Sequence, residues 1–300
     1  MMKRMAAAGI ALALLALFPS IARAQSGAPR NYTLGPVGAP TVFVNLGAAA
    51  SETTSGSDLG LPNNESLSRS GSATLLYGFP LAGRYGGVGF TAGRATVEAT
   101  GPSGNARTSG WTDPAVTFHV NLFGGPALRR EEFSKFVPVT YSSFHLTVNA
   151  PLGSYDRNAP VNAGSNRWTA SPVINYSITP DSGASWIDLY AGGQFYSSND
   201  EFRGDSKITQ KPLGTFTAYY TRNLTETIWA GLGVYYRTGG ETSINGLREH
   251  NARQGFRPSA VISGKLQKLR FTLRYDGTSP TPQSPTRSGL ISLQINFPPF

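Results

Sequence analysis

The last strand-like stretch of the chain sets the pattern for the rest. Ile291, Leu293, Ile295 and Phe297 alternate with Ser292, Gln294 and Asn296. A period of two sends each set to its own side of a sheet, one greasy and one wet. The same alternation sets Leu269, Phe271, Leu273 and Tyr275 against Arg270, Thr272, Arg274 and Asp276. It also sets Ile187, Leu189, Ala191 and Phe195 against Asp188, Tyr190, Gln194 and Tyr196. Twelve segments of this kind are predicted, over 41–49, 70–79, 85–99, 111–123, 141–150, 167–178, 186–196, 213–222, 228–238, 255–264, 268–276 and 288–297. Each is too short for a membrane helix and close to the ~10 residues that a tilted barrel strand needs. Two segments, 85–99 and 213–222, are ambiguous. In the first, Arg94 and Glu98 share the parity of Val88 and Phe90, so either the register differs there or the strand reaches a rim.

The connectors give a second pattern. Those after the first, third, fifth, seventh, ninth and eleventh segments are long and polar, for example 50–69, 151–166 and 239–254. Most of the others are tight, such as 80–84, 223–227 and 265–267. Long external loops and short periplasmic turns are the habit of outer-membrane barrels, and an even strand count puts both termini in the periplasm. One connector breaks the rule. Residues 124–140 are long on the periplasmic side, and 126–133 read as one or two helical turns.

The N-terminus reads as an export leader over residues 1–24. Lys3 and Arg4 make the positive start, 6–18 the short apolar core, and Ala22-Arg23-Ala24 the cleavage site. That core is too short to span a bilayer as a helix. Residues 25–40, rich in Gly, Pro and Ala, form a periplasmic or lumenal lead-in, and 41–300 the barrel. Charged residues are only 14% of the chain, against about 25% in soluble proteins. The low charge is made up with Gly, Ser, Thr, Asn and Tyr, beside 39% hydrophobic residues, which suits a wall with lipid on one side and water on the other. There is no cysteine, hence no disulfide framework and no thiolate metal site. The formal charge of +9 falls to +6 once Lys3, Arg4 and Arg23 leave with the leader. Positive charge can meet nucleic acid, lipopolysaccharide phosphates or anionic solutes. Export argues against nucleic acid, and the basic residues are dispersed rather than striped.

Several blocks carry a resemblance. The strongest are Ala150-Pro151-Leu152-Gly153-Ser154-Tyr155-Asp156 and Asn162-Ala163-Gly164-Ser165-Asn166-Arg167-Trp168. With them go Trp111-Thr112-Asp113-Pro114, with Thr where Gly is usual, and Asn121-Leu122-Phe123-Gly124-Gly125-Pro126-Ala127-Leu128. Tyr235-Tyr236-Arg237-Thr238-Gly239-Gly240-Glu241-Thr242 and Ile244-Asn245-Gly246 complete the set. In this order they resemble the outer-membrane transporter family called "putative MetA-pathway of phenol degradation", from about residue 75 onward. The resemblance implies an outer-membrane barrel thought to admit small, often aromatic, compounds. It supplies neither a proven substrate nor a catalytic set. The C-terminus departs from the usual barrel ending: Pro298 and Pro299 precede Phe300, which is out of phase with Phe297.

Parity places Arg167, Arg237, Arg257, Arg270 and Arg274 inward, with Asp188 and Asp276 as the clearest inward acids. Excess positive charge on a low-dielectric wall favours an anion in the lumen. The same arginines can instead brace the wall against acids and loop carbonyls. Tyr190, Tyr196, Tyr235 and Trp229 also point inward and either stack a flat ligand or sit in an interfacial girdle. His119 and His145 both point inward and oppose one another if 118–146 forms a symmetric hairpin. A metal site there needs a further ligand, and none stands out. His250 reads as a solvated loop residue. Ser143 and His145 share a face, but it is the face opposite the apolar one, so a lipid-facing catalytic pair is not expected. The glycines of Tyr85-Gly86-Gly87-Val88-Gly89-Phe90 lack a following Lys-Ser/Thr or helix and mark bends or room for a lumenal element.

The expected fold is all-β, a transmembrane antiparallel barrel of about 12 strands in the bacterial outer membrane. Twelve strands spaced ~4.8 Å and tilted ~40° give a radius of roughly 12 Å and a passage of about 10 Å or less. The expected function is a passive channel for small, aromatic or anionic solutes, with no catalytic residue, metal or cofactor. Candidate lumen-lining residues are Arg167, Asp188, Tyr190, Tyr235, Arg237, Arg257, Arg270 and Arg274. Replacing Arg270 and Arg274 with Gln is expected to shift selectivity toward cations. Expected partners are the solutes, outer-membrane lipid and lipopolysaccharide, and the barrel-assembly machinery; the oligomeric state is open. The competing readings are a non-conducting structural or surface-interaction barrel and a lipid-modifying barrel enzyme.

Overall fold

The computed structural model describes residues 28–30, 35–53, 64–101, 104–278 and 286–297. The leader and its cleavage site, and the terminal Phe300, lie outside the described residues. In chain order the elements are β1 (Pro40–Thr53), β2 (Asn64–Leu81), β3 (Arg84–Gly101), β4 (Gly104–Trp111), β5 (Ala115–Phe123), α1 (Arg130–Phe133), β6 (Tyr141–Asn149), β7 (Thr169–Ile178) and β8 (Ser185–Tyr196). They continue as β9 (Asn199–Phe202), β10 (Ser206–Gln210), β11 (Leu213–Asn223), β12 (Ile228–Gly239), β13 (Thr242–Ile244), β14 (Leu247–Arg248), β15 (Arg253–Leu266), β16 (Leu269–Thr278) and β17 (Thr286–Phe297).

Twelve of these strands close into an antiparallel barrel. The sheet runs β2-β1-β17-β16-β15-β12-β11-β8-β7-β6-β5-β3, and β2 pairs with β3 to seal it. Closure leaves no strand edge to meet lipid, which is why a barrel tolerates the bilayer core. The first and last strands meet in register, with Val42 opposite Phe297 and Leu46 opposite Leu293. Among the described residues no helix is long and apolar enough to cross a membrane, so strands do the crossing.

The alternation sorts the wall as expected. Leu75, Phe90, Val116, Ile174, Leu189, Phe216, Leu232, Ile262, Leu273 and Ile291 are exposed on the outside. Asn45, His119, Asn175, Asp188, Thr217 and Ser263 are buried on the inside. The inner wall is therefore polar and laced with hydrogen bonds, the inverse of a soluble core.

Three features differ from the expected layout. The stretch 100–110 is not a loop: β3 runs on to Gly101 and turns back through β4, with Arg94 opposite Trp111 and Glu98 opposite Arg107. The fourth barrel strand is thus β4 and β5 end to end, broken at Thr112, Asp113 and Pro114. The parity conflict at Arg94 and Glu98 is a strand rim, because this hairpin rises past the lipid band. Secondly, the strand predicted over 167–178 begins at Thr169, so Arg167 lies just before it. Thirdly, residues of the two loops after β8 and β12 form a small separate sheet, β14-β13-β10-β9, beyond the external end of the wall. On the periplasmic side the long connector does carry one helical turn, α1, with the amide of Arg129 donating to the Glu132 carboxylate at 2.9 Å.

Candidate functional site: the lumen and its two mouths

The blocks that carry the family resemblance converge on the external mouth. Asp113, at the break between β4 and β5, accepts from the Gly153 amide at 2.9 Å, the Ser165 amide at 2.8 Å and the Ser165 hydroxyl at 2.6 Å. It ties both ends of the 151–168 loop to the wall. The loop passes so close that a Cβ on Gly164 would lie 2.8 Å from the Gly153 carbonyl carbon, and one on Gly153 2.7 Å from Asp113 Oδ1. Asn199 at the start of β9 joins the same knot, donating to the Tyr155 hydroxyl and the Ser165 carbonyl.

Beneath that loop lies a chamber of arginines and tyrosines. The Arg167 guanidinium stacks over the Tyr196 ring at 4.6 Å and donates to Gln210 Oε1 at 2.7 Å. Across the sheet, Tyr235 stands opposite Arg257, Arg237 opposite Gly255 and Gly239 opposite Arg253. A period of two puts Tyr235, Arg237, Arg253 and Arg257 on one face. Gly255, at their centre, faces open space, since an added Cβ would meet nothing within 4 Å. Arg237 lies over Tyr235 at 5.8 Å, and Arg257 donates to Ser288 Oγ at 3.2 Å. Among the described residues no carboxylate is ion-paired with Arg167, Arg237 or Arg257. The nearby acid Glu241 is already engaged by Lys211 at 2.8 Å and Arg248 at 2.9 Å. Those two partners hold its carboxyl below the ordinary range, the Lys211 hydrogen bond first.

The remaining candidates sit lower. Arg274 pairs with Asp276 at 3.0 Å. Arg270, near the periplasmic end, donates to Ser263 Oγ at 3.2 Å. Asp188 is fully buried and takes a short hydrogen bond from Ser177. From there a polar ladder climbs the inner wall. Asn175 donates to Ser177 at 3.1 Å, Ser143 to Asn175 at 3.2 Å, and Ser143 Oγ meets His145 Nε2 at 2.7 Å. His145 stands directly opposite His119. Their rings stack at 5.1 Å, and Tyr85 lies 5.0 Å from His119. Gly87 makes room for this ladder: a Cβ there would sit 2.5 Å from His119 Cε1. Among the described residues no group of three His, Cys, Asp or Glu side chains could hold a metal.

At the periplasmic mouth the lead-in enters the lumen. The Arg30 amide donates to Asp188 Oδ2 at 3.1 Å, its side chain to Thr221 at 2.8 Å and Asn223 at 2.7 Å, and its guanidinium covers Trp229 at 4.8 Å. Tyr190 donates to the Ala28 carbonyl at 3.0 Å. Farther along, Val37 bonds to Leu128 and Gly38 to Gly78, beside β1. Ala28 and Arg30 thus contact the β8–β12 wall, and Val37 and Gly38 contact the 124–140 connector and β2.

Two residues near the candidate lumen positions, Arg253 and Arg30, lie outside the rows that parity picks out. Arg253 read as a loop residue because the strand end there has no apolar partner row. Arg30 preceded any periodic segment, and its partners lie 158 to 193 residues away in sequence.

The family model described as "putative MetA-pathway of phenol degradation" matches residues 44–285. Among solved structures, the COG4313 outer membrane channel from Pseudomonas putida F1 is similar at 18% identity, covering 91% of this chain and 100% of that one, with a TM-score of 0.74. The transport unit of the autotransporter AIDA-I from Escherichia coli matches at 11% identity, 97% of each chain and a TM-score of 0.53. The beta domain of the Bordetella autotransporter Brka matches at 10% identity, 87% of this chain and 99% of that one, with a TM-score of 0.52. No curated protein matches the sequence. With a closed 12-stranded wall, a lipid-facing apolar band and a match over most of its length, the chain is an outer-membrane β-barrel and belongs to the family described as "putative MetA-pathway of phenol degradation".

Proposed function

We propose that the protein is a passive channel for small, flat, anionic solutes such as aromatic carboxylates. The observation that carries this reading is the external chamber, where Arg167, Arg237, Arg253 and Arg257 share one space with Tyr196 and Tyr235. Guanidinium groups on a low-dielectric wall lower the energy of an anion and raise its local concentration by about 10-fold or more. Tyrosine faces beside them suit a planar ring. Membership of a family named for phenol degradation, and likeness to an outer membrane channel, agree with small aromatic cargo. Selectivity then comes from width, charge and ring stacking, with no covalent step. The pairing of Ser143 with His145 does not favour a lipid-modifying enzyme, since both are buried on the inner wall, away from lipid. The acid of their ladder, Asp188, connects through Ser177 and Asn175 to Ser143.

One observation favours a second reading, a barrel that does not conduct at rest: Ala28 and Arg30 lie in the periplasmic half of the lumen. Flux through liposomes separates the two. Benzoate should enter liposomes bearing the protein faster than benzamide, its uncharged counterpart of the same shape, and faster than benzylammonium. Equal rates for the three would remove the charge-selective role, and no flux above empty liposomes would favour the sealed barrel.

A further inference from the structure

The parity conflict at Arg94 and Glu98 leads to a feature that solute passage does not use. Arg69, Arg94 and Arg107 all lie on the outside of the barrel. Gly71 pairs with Arg94 and Arg94 with Trp111; one step higher Arg69 pairs with Thr96; one step above that Glu98 pairs with Arg107. Glu98 lies 3.5 Å from both Arg69 and Arg107 and holds them side by side. Their side chains stay 59% and 71% exposed. The Arg94 guanidinium lies 5.5 Å over the Trp111 ring. Three cations face one carboxylate, so the patch keeps a positive excess. The next outward acid, Glu65, is two positions beyond Leu67, opposite Thr100.

The height of this patch follows from the strand. Arg84 starts β3 at the periplasmic turn and Arg94 lies ten residues on. Ten residues span about 33 Å along a strand and, at a tilt of ~40°, about 25 Å along the normal. That equals the apolar band of an outer-membrane barrel, whose borders carry aromatic girdles. Trp111 is 56% exposed and marks the outer border. Directly below the arginines the wall is dented. A groove of about 520 Å³ has Leu46, Leu273 and Leu293 along it, Gly71 at its centre, and Arg69 and Arg94 at one end. A side chain at Gly71 would fill it against the Leu46 Cδ2, which lies 3.4 Å from the ideal Cβ.

An apolar groove inside the lipid band, ending at arginines on the outer headgroup level, is shaped for an acyl chain bearing an anionic head. Arg matches phosphate with paired N–H donors and holds its charge when partly dehydrated. We propose that this outer-wall groove binds a phosphorylated glycolipid of the outer leaflet, lipid A, with an acyl chain along Leu46, Leu273 and Leu293 and a phosphate on Arg69, Arg94 and Arg107. The inner-leaflet phospholipids share the phosphate but stand at the opposite border. The site is independent of the lumen and holds whether or not the barrel conducts.

The test uses full-length mature protein refolded in detergent and titrated with lipid, with bound lipid counted by native mass spectrometry. The parent should bind bisphosphorylated lipid A about 10-fold more tightly than the Arg69→Gln/Arg94→Gln/Arg107→Gln variant, since two or more charge-assisted contacts are lost. Lys265→Gln/Lys268→Gln, at the periplasmic turn, should bind as the parent does. The double variant Arg69→Gln/Arg107→Gln keeps the Arg94–Trp111 pair and should fall between, which covers a triple variant that fails to fold. Equal binding by parent and arginine variants would overturn the site. Equal binding of dephosphorylated lipid A, or of phosphatidylglycerol, would overturn the phosphate role or the choice of lipid A.

Discussion

The Ser165 hydroxyl donates to Asp113 Oδ2 at 2.6 Å, joining residues 52 apart in sequence and fixing the external loop over the chamber. Three donors converge on that carboxylate, and hydrogen bonds to a charged acceptor contribute about 1.5–3 kcal/mol each. Asp113→Ala should therefore loosen 151–168 by about 3 kcal/mol, a more than 100-fold rise in local opening. Hydrogen exchange at the Gly153 and Ser165 amides, with the barrel strands as internal reference, reads this directly. Unchanged protection of both amides would show that the loop is held by something else.

Acid should open the small external sheet before it harms the barrel. Lys211 and Arg248 lower the Glu241 carboxyl below its ordinary 4.5. A depressed carboxyl contributes stability above its unfolded value and loses it as the pH falls through the folded one. Proteolysis of 197–212 and 240–252 should rise as the pH falls below the ordinary 4.5 and through the depressed value, read with pepsin in acid and with thermolysin at neutral pH. The Glu241→Gln variant should be cleaved readily at neutral pH and show no further acid step. The same acid step in parent and variant would assign the transition to another group.

The lead-in should limit current through the periplasmic mouth. Arg30→Ala removes the bonds to Thr221 and Asn223 and the cover over Trp229. A loss of about 2 kcal/mol shifts the ratio of seated to released lead-in roughly 30-fold. Single-channel conductance or open probability should increase. Currents identical to the parent would place the narrowest point elsewhere.

The wall was legible because lipid and water enforce a period of two, and that period fixes both strand count and face. Asp188 and Tyr190 point inward for this reason alone. The signal fails where both faces are wet. Gly104–Trp111 carries Asn105, Arg107, Thr108 and Ser109 with no greasy row, so a strand above the lipid band reads as a loop. The same holds for the external end of β15, where Arg253 lies, and for strands of the small sheet only two to five residues long. Contacts such as Arg30 with Asp188 depend on closing the whole cylinder and leave no local trace.

The arginines differ in what they can do for selectivity. Arg274 is paired with Asp276 and Arg270 lies far down the wall. The Arg270→Gln/Arg274→Gln variant should therefore shift selectivity less than changes in the external chamber.

The most direct measurement is the reversal potential of the purified protein in planar bilayers under a salt gradient, for the parent and for Arg237→Gln/Arg253→Gln/Arg257→Gln. The parent should reverse on the anion-selective side, and the triple variant should move toward zero or the cation side while unheated gel mobility shows a folded barrel. A parent that is cation-selective, or a variant with the parent's reversal potential, would contradict an arginine-lined passage for anions.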